Sequence, residues 1–342
     1  MFKQKSIVLI LIALFITTSL VGTVGFSQND ADLEKIDFRL NWIPQGNHAV
    51  YYVAKDKGWY EDVGLKVNIQ RGSGSGDAVK YADVGRVDIA MADASTVAVS
   101  RAQGANVKII AEVYVTSPFT VWARKDKGIT EPEDLANHTI GAPAGDAQRV
   151  FFPAFASAVG IDTDDVTWVN IGPGAKIQSL GAGSIDATVH YSDQLYLYKE
   201  AVGDNLVRFR WPEYGVNPYG KSLIANEKTI KEKPEILKKF LEASFRAYRW
   251  TIKNPGQAIE IERKYAPEAD KEKFLAMLNE SIKLMKNESV LVHGLGWIDN
   301  DQMERTVELV NKHFGIDRKL TAEEMYTRQF LPHYTWPYPS EG

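Results

Sequence analysis

At 342 residues the chain is longer than one small module and suits a two-lobed protein or two domains. Its 44% apolar and 25% charged residues can bury a full core, and a net charge of −4 with no lobe-sized basic block gives nucleic-acid binding little support. Cysteine is absent, which excludes disulfides, thiolate metal sites, iron–sulfur clusters, a cysteine nucleophile and a lipidated-cysteine anchor.

Lys3 and Lys5 precede an apolar run from Ile7 to Ile16, and small residues follow at Gly22, Gly25 and Ser27. This pattern predicts a secretory signal peptide over residues 1–27, and the apolar run is short for a membrane anchor. Removing Lys3 and Lys5 takes the net charge from −4 to −6, so an exported, mildly acidic protein is expected.

Strand and helix signals then alternate. Ile36 to Trp42 alternates apolar and polar residues and predicts a strand; Ala49 to Tyr60 reads as a helix, and Leu65, Val67 and Ile69 as a second strand. A helix over Asp77 to Val84 closes at Gly85, a strand covers Asp88 to Ala92, Ser95 caps a helix running to Gln103, and Val107 to Val115 is a strand. The order restarts after the charged stretch Arg124 to Lys127. Strands are expected at 139–142, 166–171, 186–190 and 206–211, with helices at 147–159, 175–180 and 194–201 between them. The pattern predicts an α/β protein of two lobes, each a mainly parallel sheet flanked by helices.

Gly74, Gly76, Val79, Gly85, Val87 and Asp88 recur as Gly172, Gly174, Ile177, Gly183, Ile185 and Asp186, always 98 residues on, which favours an internal duplication. After residue 220 only helices are expected, the longest opening at Pro234, before an irregular tail over 332–342. Two connectors, near Thr116 to Trp122 and Val216 to Leu223, should carry the chain between lobes. They divide it into 36–120, 121–220 and a return over 221–331.

Ligands of open α/β sheets sit beyond the carboxyl ends of strands, so the turns there supply the candidate site. Gly72 and Ser73 lie in the Gly-rich turn Arg71–Asp77, which offers backbone N–H groups but matches neither a P-loop nor a dinucleotide fingerprint. Asp93 and Ser95 open a helix, where Asp93 serves either as a cap or as a cleft-facing carboxylate. Gly145 and Asp146 hold the matching turn of the second lobe. Trp42, Tyr114, Tyr191, Trp211 and Tyr214 cluster at strand exits and suit stacking on a flat polar ring. His48 and His190 lie in exit loops, and Asn47, Ser117 and Asp193 complete the candidate ligand set. No histidine pair has helical i,i+4 spacing, and neither HExxH nor GxSxG occurs, so neither catalytic residues nor a metal site is expected.

Asn41-Trp-Ile-Pro-Gln-Gly-Asn-His48 followed by Tyr52 to Val67, the segment Gly85 to Asp93, and Asp134 to Gly145 resemble the thiamine-pyrimidine and alkanesulfonate group of solute-binding proteins. The resemblance spans about residues 36–331. It implies a type II periplasmic binding protein fold whose lobes close on a small-molecule ligand, no cofactor, permease subunits of an ABC importer as partners, and a monomer. The opening looks closer to the pyrimidine-binding branch than to the sulfonate branch; sulfonate, nitrate and riboflavin remain alternatives. The family also holds pyrimidine synthases that use pyridoxal phosphate and a cysteine-rich motif, and the absence of cysteine here argues against that chemistry.

Overall fold

The computed structural model describes residues 33–337 except 317; the expected signal peptide lies outside the described residues. Two five-stranded sheets form the framework. The first comprises β1 (Glu34–Arg39), β2 (Leu65–Gln70), β3 (Ile89–Asp93), β4 (Val107–Glu112) and β10 (Lys221–Asn226), in the order β2-β1-β3-β10-β4. The second comprises β5 (Phe119–Arg124), β6 (Thr139–Gly141), β7 (Thr167–Val169), β8 (Ala187–Tyr191) and β9 (Leu206–Arg210), in the order β7-β6-β8-β5-β9. In each sheet four strands run one way and one, β10 or β5, runs against them. The chain leaves the first sheet after Glu112 and returns to it at Lys221.

Those two antiparallel strands are corrections to the sequence reading, which placed connectors there and no strand after residue 220. Every residue of β10, and all but the last of β5, is buried. A strand covered on both faces shows no in–out alternation, and polar Lys221, Ser222 and Thr120 sit inside it, so its period is unreadable.

Helices cover both sheets: α1 (Ala49–Asp56), α2 (Ser75–Asp83), α3 (Ala94–Ala102), α4 (Ala147–Ala158), α5 (Lys176–Gly181), α6 (Leu195–Val202) and α7 (Glu227–Glu232). Then follow α8 (Pro234–Lys253), α9 (Pro255–Glu262), α10 (Lys271–Leu284), α11 (Glu288–His293), α12 (Asn300–His313) and α13 (Ala322–Met325). α1 stops at Asp56 rather than Tyr60, because the chain turns at Gly58, φ +69°. The buried stripe of α8 includes Phe240, whose ring lies 5.0 Å from Phe38 and stacks on Tyr60 at 5.4 Å, clamping the C-terminal helices to the first lobe. Burying a side chain of that size stabilises by roughly 1.5–3 kcal/mol.

The 98-residue echo has a geometric counterpart. Gly85 and Gly183 adopt φ of +70° and +69°, and end their helices before a strand. Asp88 Oδ2 accepts from Asp37 N–H at 3.0 Å, and Asp186 Oδ2 accepts from Thr139 N–H at 3.0 Å. Each aspartate ties the start of its strand to the neighbouring one. Counted on from there, Asp93 and Tyr191 end β3 and β8 at matching positions.

Candidate ligand-binding cleft

The carboxyl ends of β1, β3, β6 and β8 meet between the lobes around a tight cavity of about 20 Å3. Asn41, Trp42, Gln45 and His48 enter from the segment after β1, Ser75 from the first turn of α2, Asp93 from β3 and Lys221 from β10. Asp146, Ala147 and Gln148 enter from the start of α4, and His190 and Tyr191 from β8. Glycine brings the rims together: Gly76 N–H donates to Gly145 O at 3.0 Å, and a Cβ on Gly74, φ +149°, would collide with that same carbonyl.

A directional hydrogen-bond chain crosses the cleft twice. Gln45 N–H donates to His48 Nδ1 at 3.1 Å, which leaves the proton on Nε2 for Asn41 Oδ1 at 3.2 Å. Asn41 Nδ2 donates to the Tyr191 hydroxyl at 3.1 Å, and that hydroxyl donates to Asp93 Oδ2 at 2.6 Å. Ser75 Oγ adds a second donor to Oδ2 at 2.8 Å. Asp93 Oδ1 is buried and has no partner. Burial pushes the Asp93 carboxyl up to about 6, against the Tyr191 and Ser75 bonds and the Lys221 charge, which pull it down. Although Asp93 holds the N-cap position of α3, its side chain makes no capping bond. It is a cleft carboxylate.

On the opposite wall Asp146 caps α4, its Oδ1 accepting from Gln148 N–H at 2.9 Å and Arg149 N–H at 3.3 Å. Its Oδ2 is ion-paired with the fully buried Lys176, which also donates to Val189 O at 2.6 Å and stands 4.7 Å from the centre of the Trp42 ring. Burial lowers the Lys176 ammonium despite Asp146. Lys221 donates to Asn47 Oδ1 at 3.0 Å and lies over the Tyr114 and Tyr191 rings; burial pulls it down to about 8. Burial, with Lys221 nearby, also holds His48 and His190 well below the ordinary imidazole range, so both rings are neutral at pH 7. Trp42 and His190 face each other at 5.8 Å and 50°.

Of the residues singled out by sequence, Trp42, His48, Asp93, Asp146, His190 and Tyr191 line the cavity. The others do not. Asn47 and Asp193 bond each other at 3.2 Å across the lobes, and Asp193 also accepts from Ser281 at 2.8 Å, so both clamp rather than line. Tyr114 is buried with its hydroxyl 3.4 Å from Asp193. Trp211 stacks on Phe155 at 4.9 Å and Tyr214 meets the same ring edge-on, which places Trp211 in the core of the second lobe and the half-buried Tyr214 against it. Gly72 is spent on a backbone bond to Trp42 O, Ser73 is exposed, and Gly145 contributes only its carbonyl to Gly76. Ser117 hydrogen-bonds the Phe119 backbone. Ser95 is buried one residue inside α3 and caps nothing. Sequence reasoning missed six lining residues: Asn41, Gln45, Ser75, Ala147, Gln148 and Lys221. Asn41, Gln45 and Ser75 lay inside motifs already marked; Lys221 carried no signal because its strand was unread. Among the described residues no group of His, Asp or Glu is arranged to hold a metal ion, and no helix is long and apolar enough to cross a membrane.

Two helix-flanked sheets with a polar cavity at their facing strand ends define the periplasmic binding protein fold. A Candida albicans protein described as having the generic form of that fold superposes with a TM-score of 0.63 at 13% identity, covering 90% of this chain and 99% of that one. Residues 45–258 match the NMT1/THI5-like family model, and the chain belongs to that family. It is 26% identical to the formylaminopyrimidine-binding protein of Halalkalibacterium halodurans, over 94% of this chain and 98% of that one. It is also 26% identical to the riboflavin-binding protein RibY of Chloroflexus aurantiacus, over 88% and 87%. A 4-amino-5-hydroxymethyl-2-methylpyrimidine phosphate synthase of Legionella pneumophila is 22% identical over 87% and 92%.

Proposed function

We propose that this protein is the exported, non-catalytic substrate-binding component of an ABC importer, and that it captures a small heteroaromatic nutrient bearing amino groups, such as a thiamine pyrimidine precursor. The observation that carries the reading is Asp93 Oδ1, a buried carboxylate oxygen without a partner on the wall of the interlobe cavity. Such an oxygen takes an N–H donor from a ligand and repels a sulfonate or nitrate. Trp42 lines the same cavity and brings an aromatic ring to it. In this reading the lobes are 36–120 with 221–331 and 121–220, the protein acts as a monomer, and its macromolecular partners are permease subunits. Transport energy comes from those partners, so the binding protein supplies affinity alone. Isothermal titration against aminopyrimidines, riboflavin, taurine and nitrate tests it. Tight binding of an aminopyrimidine supports the assignment; tight binding of taurine or nitrate with indifference to every ring overturns it. A pyridoxal Schiff-base absorbance in the purified protein would point to the synthase chemistry instead.

A further inference from the structure

We infer that Gln148 is a second specificity-determining residue of the cleft, donating from the second lobe to a hydrogen-bond acceptor on the ligand, while Asp93 reads the amino group from the first. The inference rests on the function proposed above and names a requirement that reading lacks. Gln148 is the second residue of α4 and only 2% exposed, and it lines the cavity. Its backbone N–H is bound to Asp146 Oδ1, which fixes the start of the helix, but its side-chain Nε2 is buried without any partner. A buried amide donor left unpaired is costly, and a ligand that accepts from it removes that cost. Its neighbours on the same wall are already committed: Asp146 to Lys176 and the α4 backbone, Lys176 to Asp146 and Val189 O. Trp42 Nε1, also lining and also partnerless, is a second neutral donor on the first lobe.

The unsatisfied atoms of the cavity wall therefore make a complementary set, one anionic acceptor and two neutral donors. A ring that carries an amino group beside a ring nitrogen or carbonyl oxygen matches it; an amine with no acceptor satisfies only Asp93. Because Gln148 belongs to the lobe opposite Asp93, a ligand bonded to both bridges the two lobes.

The test is isothermal titration of wild type, Gln148→Ala and the near-isosteric Gln148→Glu with three probes: 4-amino-2-methylpyrimidine, its 5-carbaldehyde, and 3-methylaniline, which keeps the amino group and lacks the acceptors. Melting curves establish that each variant is folded, and Gln148→Glu serves if the alanine variant is not. The expected result is an affinity loss of about tenfold for the two acceptor-bearing rings in both variants, with the weak binding of 3-methylaniline changed less than twofold. Wild-type binding of the aminopyrimidines with no loss in either variant, or an equal loss for all three probes, overturns the role of Gln148 alone. Failure of wild type to bind any aminopyrimidine overturns the proposed ligand class and this inference with it.

Discussion

The two lobes share one framework and put different chemistry on it. Their sheets have the same strand order with one reversed strand each, and Asp93 and Tyr191, 98 residues apart, end equivalent strands and hydrogen-bond each other across the cleft. Among the described residues, the buried carboxyl oxygens without a partner sit at Glu61, Asp93, Glu112 and Glu262, all on elements of the first lobe. In the second lobe the unpartnered buried atoms belong to Trp122, Gln148, Gln194 and Trp211, all neutral, and its buried carboxylates are partnered, Asp146 by Lys176 and Asp193 by Asn47 and Ser281. A repeated fold sets where strand ends meet. The residues placed there leave the unpaired carboxylate oxygen of Asp93 and the Trp42 donor on the first-lobe wall, and the neutral Gln148 amide on the other.

The largest expected effect breaks the paired wall. Lys176→Met leaves Asp146 buried and uncompensated and should destabilise the protein by about 3–5 kcal/mol in urea unfolding. Loss of less than about 1 kcal/mol would mean that the pair is not the anchor of that wall.

Asp93→Asn removes the carboxylate with an unpartnered oxygen on the cavity wall and should weaken an aminopyrimidine by about 10–100-fold in titration calorimetry, the loss expected for a charged hydrogen bond. The same carboxyl sets two pH dependences of opposite sign. Its folded pKa, about 6, lies above the ordinary carboxylate range. Its contribution to ligand-free stability is therefore present below roughly pH 4 and lost as pH rises through 6. Ligand affinity should rise over the same window, because the ionised form accepts the amino group. Melting temperatures and affinities from pH 4.5 to 7.5 should show both trends in wild type and lose the Asp93 component in Asp93→Asn.

The contrast between the lobes is sharpened at Glu262, fully buried with both carboxyl oxygens unpartnered. Burial, and then the charge of Glu268, hold it well above the ordinary range. Glu262→Met should stabilise the first lobe by about 1–3 kcal/mol and leave ligand affinity unchanged, as thermal melts and calorimetry would show. At the seam itself Tyr191→Phe removes one donor to Asp93 and the acceptor of Asn41, costing about 1–3 kcal/mol, and small-angle scattering should find the ligand-free protein more open.

The alternating framework was legible because glycine exits and half-buried strands leave local marks. Gly85, Gly183 and the alternation of Ile36 to Leu40 needed no tertiary information. β5 and β10 were illegible because burial on both faces erases alternation, and Lys221 was lost with its strand. Strand-exit position marked Trp42, Asp93 and Tyr191 as candidates, but it marked Tyr114 and Trp211 equally. What separates them is lateral order: β1, β3 and β8 lie inside their sheets and end at the cavity, whereas β4 and β9 are edge strands whose following aromatics fold over the cores. That order is fixed by which strand the returning chain inserts beside, and no local pattern encodes it.

The account stands most directly on one atom. A crystal structure of the protein with 4-amino-5-hydroxymethyl-2-methylpyrimidine should place the exocyclic amino nitrogen about 3 Å from Asp93 Oδ1, with the ring beside Trp42. A ligand seated elsewhere, or an Asp93 carboxylate still bonded only to Ser75 and Tyr191 while the cavity is filled, would contradict it.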